Sequence, residues 1–118
     1  MSPPNTVLDR DALLARVDGD DDVLRAIVTI YDEELPRSLA KLDAALGALD
    51  TRQVQFAAHS LKGMLLNLSA GEATRIVSAL EHEAGEGRLD GVPQLRSSLR
   101  AALARLDSEL GEWRRKSA

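Results

Sequence analysis

The chain has no cysteine and only two histidines among its 118 residues. Disulfides, thiolate nucleophiles and Cys-ligated zinc are therefore excluded, and a metal site built mainly from histidine is nearly so. Aromatic residues are equally scarce, with one Phe, one Tyr and one Trp. Acidic residues outnumber basic ones, 19 against 15, for a formal net charge of -4. Nucleic-acid binding calls for a concentrated positive surface with aromatic or helical readout elements, and is not expected here. No apolar run approaches the roughly 20 residues needed to cross a bilayer. The start, MSPPNTVLDRD, lacks the basic and apolar regions of a secretion signal. A cytoplasmic protein without membrane attachment is the expectation.

What is present points to helices. A chain of 118 residues supports one domain with a single modest core, and 44% hydrophobic with 29% charged residues is the balance of a globular protein. Leu and Ala supply 37 residues, and β-branched alternation is absent. Residues 1–7, with Pro3, Pro4 and Asn5, read as a flexible lead-in, 8–114 as one domain and 115–118 as a tail. A short helix from about Asp11 to Val17 stops at Asp18-Gly19. A longer one opens at Asp20 or Asp21.

That second helix carries Val23, Leu24, Ile27, Ile30, Tyr31, Leu35, Leu39, Leu42, Leu46 and Leu49, a spacing of three and four that implies one buried stripe. The stripe continues in register past Pro36, so a bent helix is preferred to a break. A third helix starts at Asp50 or Thr51, with Asp50 and Gln53 at capping-box spacing, and runs to about Leu68. Ser69 and Glu72 have the same spacing and are expected to open a fourth, whose apolar face is Ala73, Ile76, Val77, Leu80 and Ala84. The last helix admits Pro93 in its first turn and shows Leu95, Leu99, Leu103, Leu106, Leu110 and Trp113. No such stripe can be hidden alone. The expected fold is all-α, an antiparallel four-helix bundle with a short additional N-terminal helix.

At about 100° per residue, Val54, Ala58, Leu61, Leu65 and Leu68 share the buried face of the third helix, and His59 projects away from it. Around His59 on the outward side lie Gln55, Phe56, Lys62, Gly63 and Leu66. Gly63 gives up about 1 kcal/mol of helix propensity, yet it clears the space beside the imidazole. Lys62 brings a positive charge toward any anion carried on the ring, and Phe56 and Leu66 offer a small apolar docking patch. A neutral imidazole is a competent nucleophile near neutral pH. The chain has no phosphate-binding loop, kinase glycine-rich loop or carboxylate trio for Mg²⁺, so catalytic groups for phosphoryl transfer must come from a partner. His82, flanked by Glu81 and Glu83, reads as solvated. Asp20 to Asp22 and Asp32 to Glu34 read as helix caps and solvent-facing surface, with partner discrimination as a weaker alternative.

The segment AHSLKGMLLNLSA, Ala58 to Ala70, resembles the signature of histidine-containing phosphotransfer (HPt) domains, approximately A-H-x-L-K-G-x-x-x-x-[LIV]-G-A. The likeness extends over about residues 8 to 112 and includes the D-E-E-L-P stretch from Asp32 to Pro36. It implies a four-helix bundle that takes a phosphoryl group from a receiver-domain aspartate of a response regulator or hybrid sensor histidine kinase and passes it to another receiver. His59 then matches the phosphorylated histidine, Lys62 the lysine near the phosphoryl group, and Gly63 the glycine that admits the receiver. Gln55 holds the position one turn earlier, often polar in the family. Two positions depart from the pattern. Met64, Leu65 and Leu66 replace small residues, which either enlarges the apolar patch or spreads the helices. Ser69 replaces a glycine, and is expected to serve as a helix cap.

On this reading the protein is a monomeric carrier rather than an enzyme, with no cofactor or metal of its own and no nucleic-acid or membrane partner. Two alternatives stand beside it. One is the phosphotransfer part of a larger hybrid or chemotaxis-type kinase; the other is a helical adaptor whose histidine is incidental.

Overall fold

The computed structural model describes residues 6–117, without the side chains of 112, 113 and 115–117. Five helices follow one another: α1 (Arg10–Arg16), α2 (Asp21–Gly47), α3 (Thr51–Asn67), α4 (Gly71–Gly85) and α5 (Val92–Ser117). The connections 48–50 and 68–70 are too short to let the chain cross to the other end of the bundle, so α2, α3 and α4 alternate in direction. Helix α3 packs against both α2 and α4, and α5 closes the bundle against α4 and α2. At 1.5 Å per residue, the 27 residues of α2 span about 40 Å, which matches the 41 Å long axis of the molecule. The helix continues without interruption through Pro36.

Leucine makes most of the core. Leu13, Leu42, Leu61, Leu65, Leu68, Leu80, Leu99, Leu106 and Leu110 are all fully buried, and no charged residue is buried among those described. The expected stripes of α3 and α4 are buried throughout. On α5, Leu99, Leu103, Leu106 and Leu110 are buried and Leu95 is half-buried, while the side chain of Trp113 lies outside the described residues. The stripe of α2 is narrower than expected. Val23, Ile30 and Leu49 are exposed, and Val28 and Ala45 are buried in addition to Leu24, Tyr31 and Leu42. Val23 and Ile30 each stand about 100° round the helix from a buried neighbour. Leu49 lies beyond the helix end.

Helix ends account for the other differences. Asp9, Asp20 and Asp50 cap α1, α2 and α3, each accepting a backbone N–H from the first turn. Ser69 does not cap α4. It has a φ of 57° and follows Leu68, the residue that caps the C-terminus of α3, with its own N–H donated to the Leu66 carbonyl and the Ala70 N–H donated to the Leu65 carbonyl, both at 3.0 Å. That is the Schellman arrangement, in which the left-handed residue is most often glycine. Leu49 (φ 54°) does the same after α2, with Asp50 N–H donated to Ala45.

The exposed start of α4 is instead closed by the N-terminal segment. Glu72 N–H donates to the Thr6 carbonyl at 2.9 Å and Asp9 N–H to the Ser69 carbonyl at 3.0 Å. Of the expected lead-in, residues 1–5 lie outside the described residues. Thr6 and Val7 are already engaged with the fold, Val7 against the core. With its backbone N–H satisfied by Thr6, Glu72 turns its carboxylate to Arg105 of α5 at 2.9 Å. Two more pairs tie α5 to α2: Arg96 to Asp43 at 2.7 Å, and Arg114 to Asp32. Asp32 is thus exposed, as expected, but engaged.

Candidate functional site

The burial of Val54, Ala58, Leu61 and Leu65 fixes the rotation of α3 and turns His59 outward, with its side chain 68% exposed. Phe56, Gly63 and Leu66 are exposed on the same side, and Lys62 is half-buried at its edge. Met64 and Leu65 turn toward the core, so Leu66 is the residue of that trio that enlarges the apolar surface. A Cβ built on Gly63 would meet nothing within 4 Å. The fold itself therefore makes no demand for glycine there.

Helix α3 carries no acidic residue between Thr51 and Asn67. The countercharge comes from α4, where Glu81 adjoins buried Leu80 and faces α3. Glu81 Oε2 lies 2.7 Å from His59 Nδ1, and Glu81 Oε1 accepts from Lys62 Nζ at 2.5 Å. The Lys62 hydrogen bond foremost, and the His59 contact after it, hold the Glu81 carboxyl below its ordinary range against partial desolvation. An ionised carboxylate only accepts hydrogen bonds, so Nδ1 must be the donor. In the neutral imidazole the lone pair is then on Nε2.

Gln55 reaches α4 as well. Its side-chain amide nitrogen lies 2.9 Å from where a Cβ on Gly85 would fall, so that glycine makes room for it. Arg52, Gln53, Gln55, Phe56, His59 and Glu81 line a shallow hollow of about 370 Å³. A second hollow of about 500 Å³ runs between α2 and α3, floored by Ala44, Ala45, Ala48 and Ala57, and shares Gln53 and Phe56 with the first. His82 is exposed at the end of α4.

The structure thus brings His59, Lys62, Gly63, Gln55, Phe56 and Leu66 to one face, and adds Glu81, which the sequence reading noted only as a neighbour of His82. One signal for it was available. With no acid on α3, a partner for Lys62 had to come from another helix, although the helix and residue depend on packing. Among the described residues, no group of three or more His, Asp or Glu side chains is arranged to hold a metal ion. No described helix is long and apolar enough to cross a membrane.

An all-α bundle that displays an exposed histidine beside a lysine and an exposed glycine has the form of a phosphoryl carrier. The family model of the Hpt domain matches residues 26–109, and the chain belongs to that family. A crystal structure of histidine-containing phosphotransfer protein B (HptB) from Pseudomonas aeruginosa PAO1 is similar over 98% of each chain, with a TM-score of 0.87 and 25% sequence identity. No curated protein matches the sequence. The chain is accordingly a phosphotransfer protein of two-component phosphorelays, carrying a phosphoryl group between receiver domains.

Proposed function

We propose that His59 is the residue that carries the phosphoryl group, with Nε2 as the reacting atom. The observation that carries this reading is the 2.7 Å contact of Nδ1 with Glu81, which leaves an outward-facing lone pair on an exposed ring. Nε2 attacks the phosphorus of a partner's aspartyl phosphate; the N–P bond forms, the acyl P–O bond breaks, and its electron pair returns to the aspartate. No proton has to leave Nε2. The partner receiver supplies Mg²⁺ and the acidic pocket.

Lys62 stabilises the bound phosphoryl group, a charge-assisted contact worth on the order of 2 kcal/mol. Gly63 gives the receiver its close approach, and Gln55, Phe56 and Leu66 form the docking surface. The working unit is the five-helix bundle together with Thr6 and Val7, which close α4 and pack on the core, acting as a monomer in the cytoplasm between a hybrid sensor histidine kinase and a response regulator. Incubation with phosphorylated receiver domains tests the reading. Acid-labile, alkali-stable label is expected on the wild type and not on His59→Gln; label that persists in the variant overturns the assignment.

A further inference from the structure

Glu81 touches His59 and Lys62, the two groups to which phosphoryl transfer is assigned above, from a different helix and on the Nδ1 side of the ring. Its importance differs between the two directions of transfer. In acceptance, the attacking imidazole is neutral and Glu81 only has to keep the proton on Nδ1. Once the N–P bond has formed, the ring carries a formal positive charge for as long as Nδ1 retains that proton. Loss of the proton leaves a neutral phosphoimidazole, whose N–P bond breaks with difficulty because the departing group would be an imidazolate anion. With the proton retained, the departing group is neutral imidazole, a far better leaving group.

Resting on His59 as the acceptor, we propose that Glu81 is the positioning residue that makes phosphorylated His59 a good donor, by holding the proton on Nδ1 while the phosphoryl group is on Nε2. A carboxylate in hydrogen-bond contact favours the charged ring. Onward transfer then breaks the N–P bond, returns its electron pair to Nε2 and regenerates the starting tautomer, with no proton exchanged with solvent. Lys62 has the complementary task. It is shared between Glu81 and the phosphoryl oxygens, and the share that Glu81 keeps prevents the lysine from over-stabilising the phosphorylated state. The other charges at the site are Arg52 of α3, in the same hollow, and Lys41 of α2 and Asp50, in the adjoining one. The two cations oppose a charged ring, and Asp50 is engaged as the cap of α3, accepting from Gln53 N–H at 3.1 Å. Glu83, the next acid along α4, is held by Arg88 at 2.8 Å. Among these groups Glu81 is the acid in contact with Nδ1.

Glu81→Gln separates charge from orientation, because the amide oxygen can still accept from Nδ1. The full chain is loaded with phosphoramidate as a small phosphodonor, and the ³¹P resonance and decay of the phosphohistidine are followed from pH 5 to pH 9 in wild type and variant. Each protein is compared after loading, with the signal normalised to the amount of phosphohistidine formed, so that a difference in loading does not enter the comparison. In Glu81→Gln the titration of the phosphorus signal should move about one pH unit lower, and at pH 8 its phosphohistidine should outlive the wild type several-fold. A freed Lys62 would itself oppose the charged ring, so the comparison is repeated in a Lys62→Ala background, where a shift that persists belongs to the charge of Glu81. Glu81→Asp, retaining charge at shorter reach, should fall between the two. Coincident titration curves overturn the role of Glu81 while leaving His59 as the acceptor. A phosphorus signal that survives His59→Gln overturns the acceptor assignment and this inference with it.

Discussion

Lys62 of α3 and Glu81 of α4, 19 residues apart in sequence, meet at 2.5 Å, and the same carboxylate takes Nδ1 of His59 with its other oxygen. One carboxylate thus joins two side chains of a helix that has no acid of its own.

The pair has a signature in stability against pH. The folded-state value of Glu81 is depressed, so its contribution is fully present above the ordinary glutamate value of about 4.3 and is lost as pH falls through the depressed value. Urea unfolding of wild type and Glu81→Gln should differ by at most about 1 kcal/mol at pH 7, the scale of partly exposed ion pairs. The difference should shrink as pH falls through that depressed value and vanish once Glu81 is protonated in both the folded and the unfolded state. A gap that widens on acidification would contradict the assignment.

Ser69→Gly should stabilise the protein by about 0.5 to 1 kcal/mol. Relief of a left-handed φ on a residue with a Cβ outweighs the extra freedom that glycine has in the unfolded chain. Ser69→Ala should bring no such gain. Thermal or chemical denaturation decides the point, because a serine acting as an N-cap would lose stability on replacement by alanine and gain none on replacement by glycine. Leu49→Gly should behave like Ser69→Gly, since Leu49 is 73% exposed and surrenders little burial.

Gly63→Ala should strengthen the fold, by up to about 1 kcal/mol of helix propensity, because the added methyl meets open space. The same change should slow phosphotransfer from a receiver. Stability and transfer rate moving in opposite directions is the expected outcome; a loss of stability would mean that the glycine serves packing.

Phe56→Ala and Leu66→Ala should each leave unfolding within about 0.5 kcal/mol of wild type, as exposed positions do. In receiver titrations they should weaken association by about tenfold each, corresponding to about 1.4 kcal/mol. Loading with phosphoramidate, which needs no docking, should proceed at the wild-type rate.

Much of the site was legible before the fold was known, because it lies on one helix. Val54, Ala58, Leu61 and Leu65 set the rotation of α3, and any residue's position relative to that stripe follows from the 3.6-residue repeat. His59, Phe56, Gly63 and Leu66 were placed outward on that ground and are exposed. Ser69 shows where local reasoning fails. Its spacing to Glu72 matches a capping box, but the same residue also stands where α3 must end, and the backbone can satisfy only one of these conformations. Thr6 settled the choice by supplying the carbonyl that Glu72 N–H needs.

By itself, then, the sequence determined the helical class, the approximate span of each helix and the outward placing of His59, all of which depend on periodicity and on capping between near neighbours. Tertiary structure alone decided that Glu81 joins His59 to Lys62, that Gln55 rests over Gly85, and that the N-terminal segment rather than Ser69 closes α4. Each of these depends on how far one helix is turned and shifted against another. That is set by the close packing of the whole core, in which no single stretch of sequence states where its neighbour will lie.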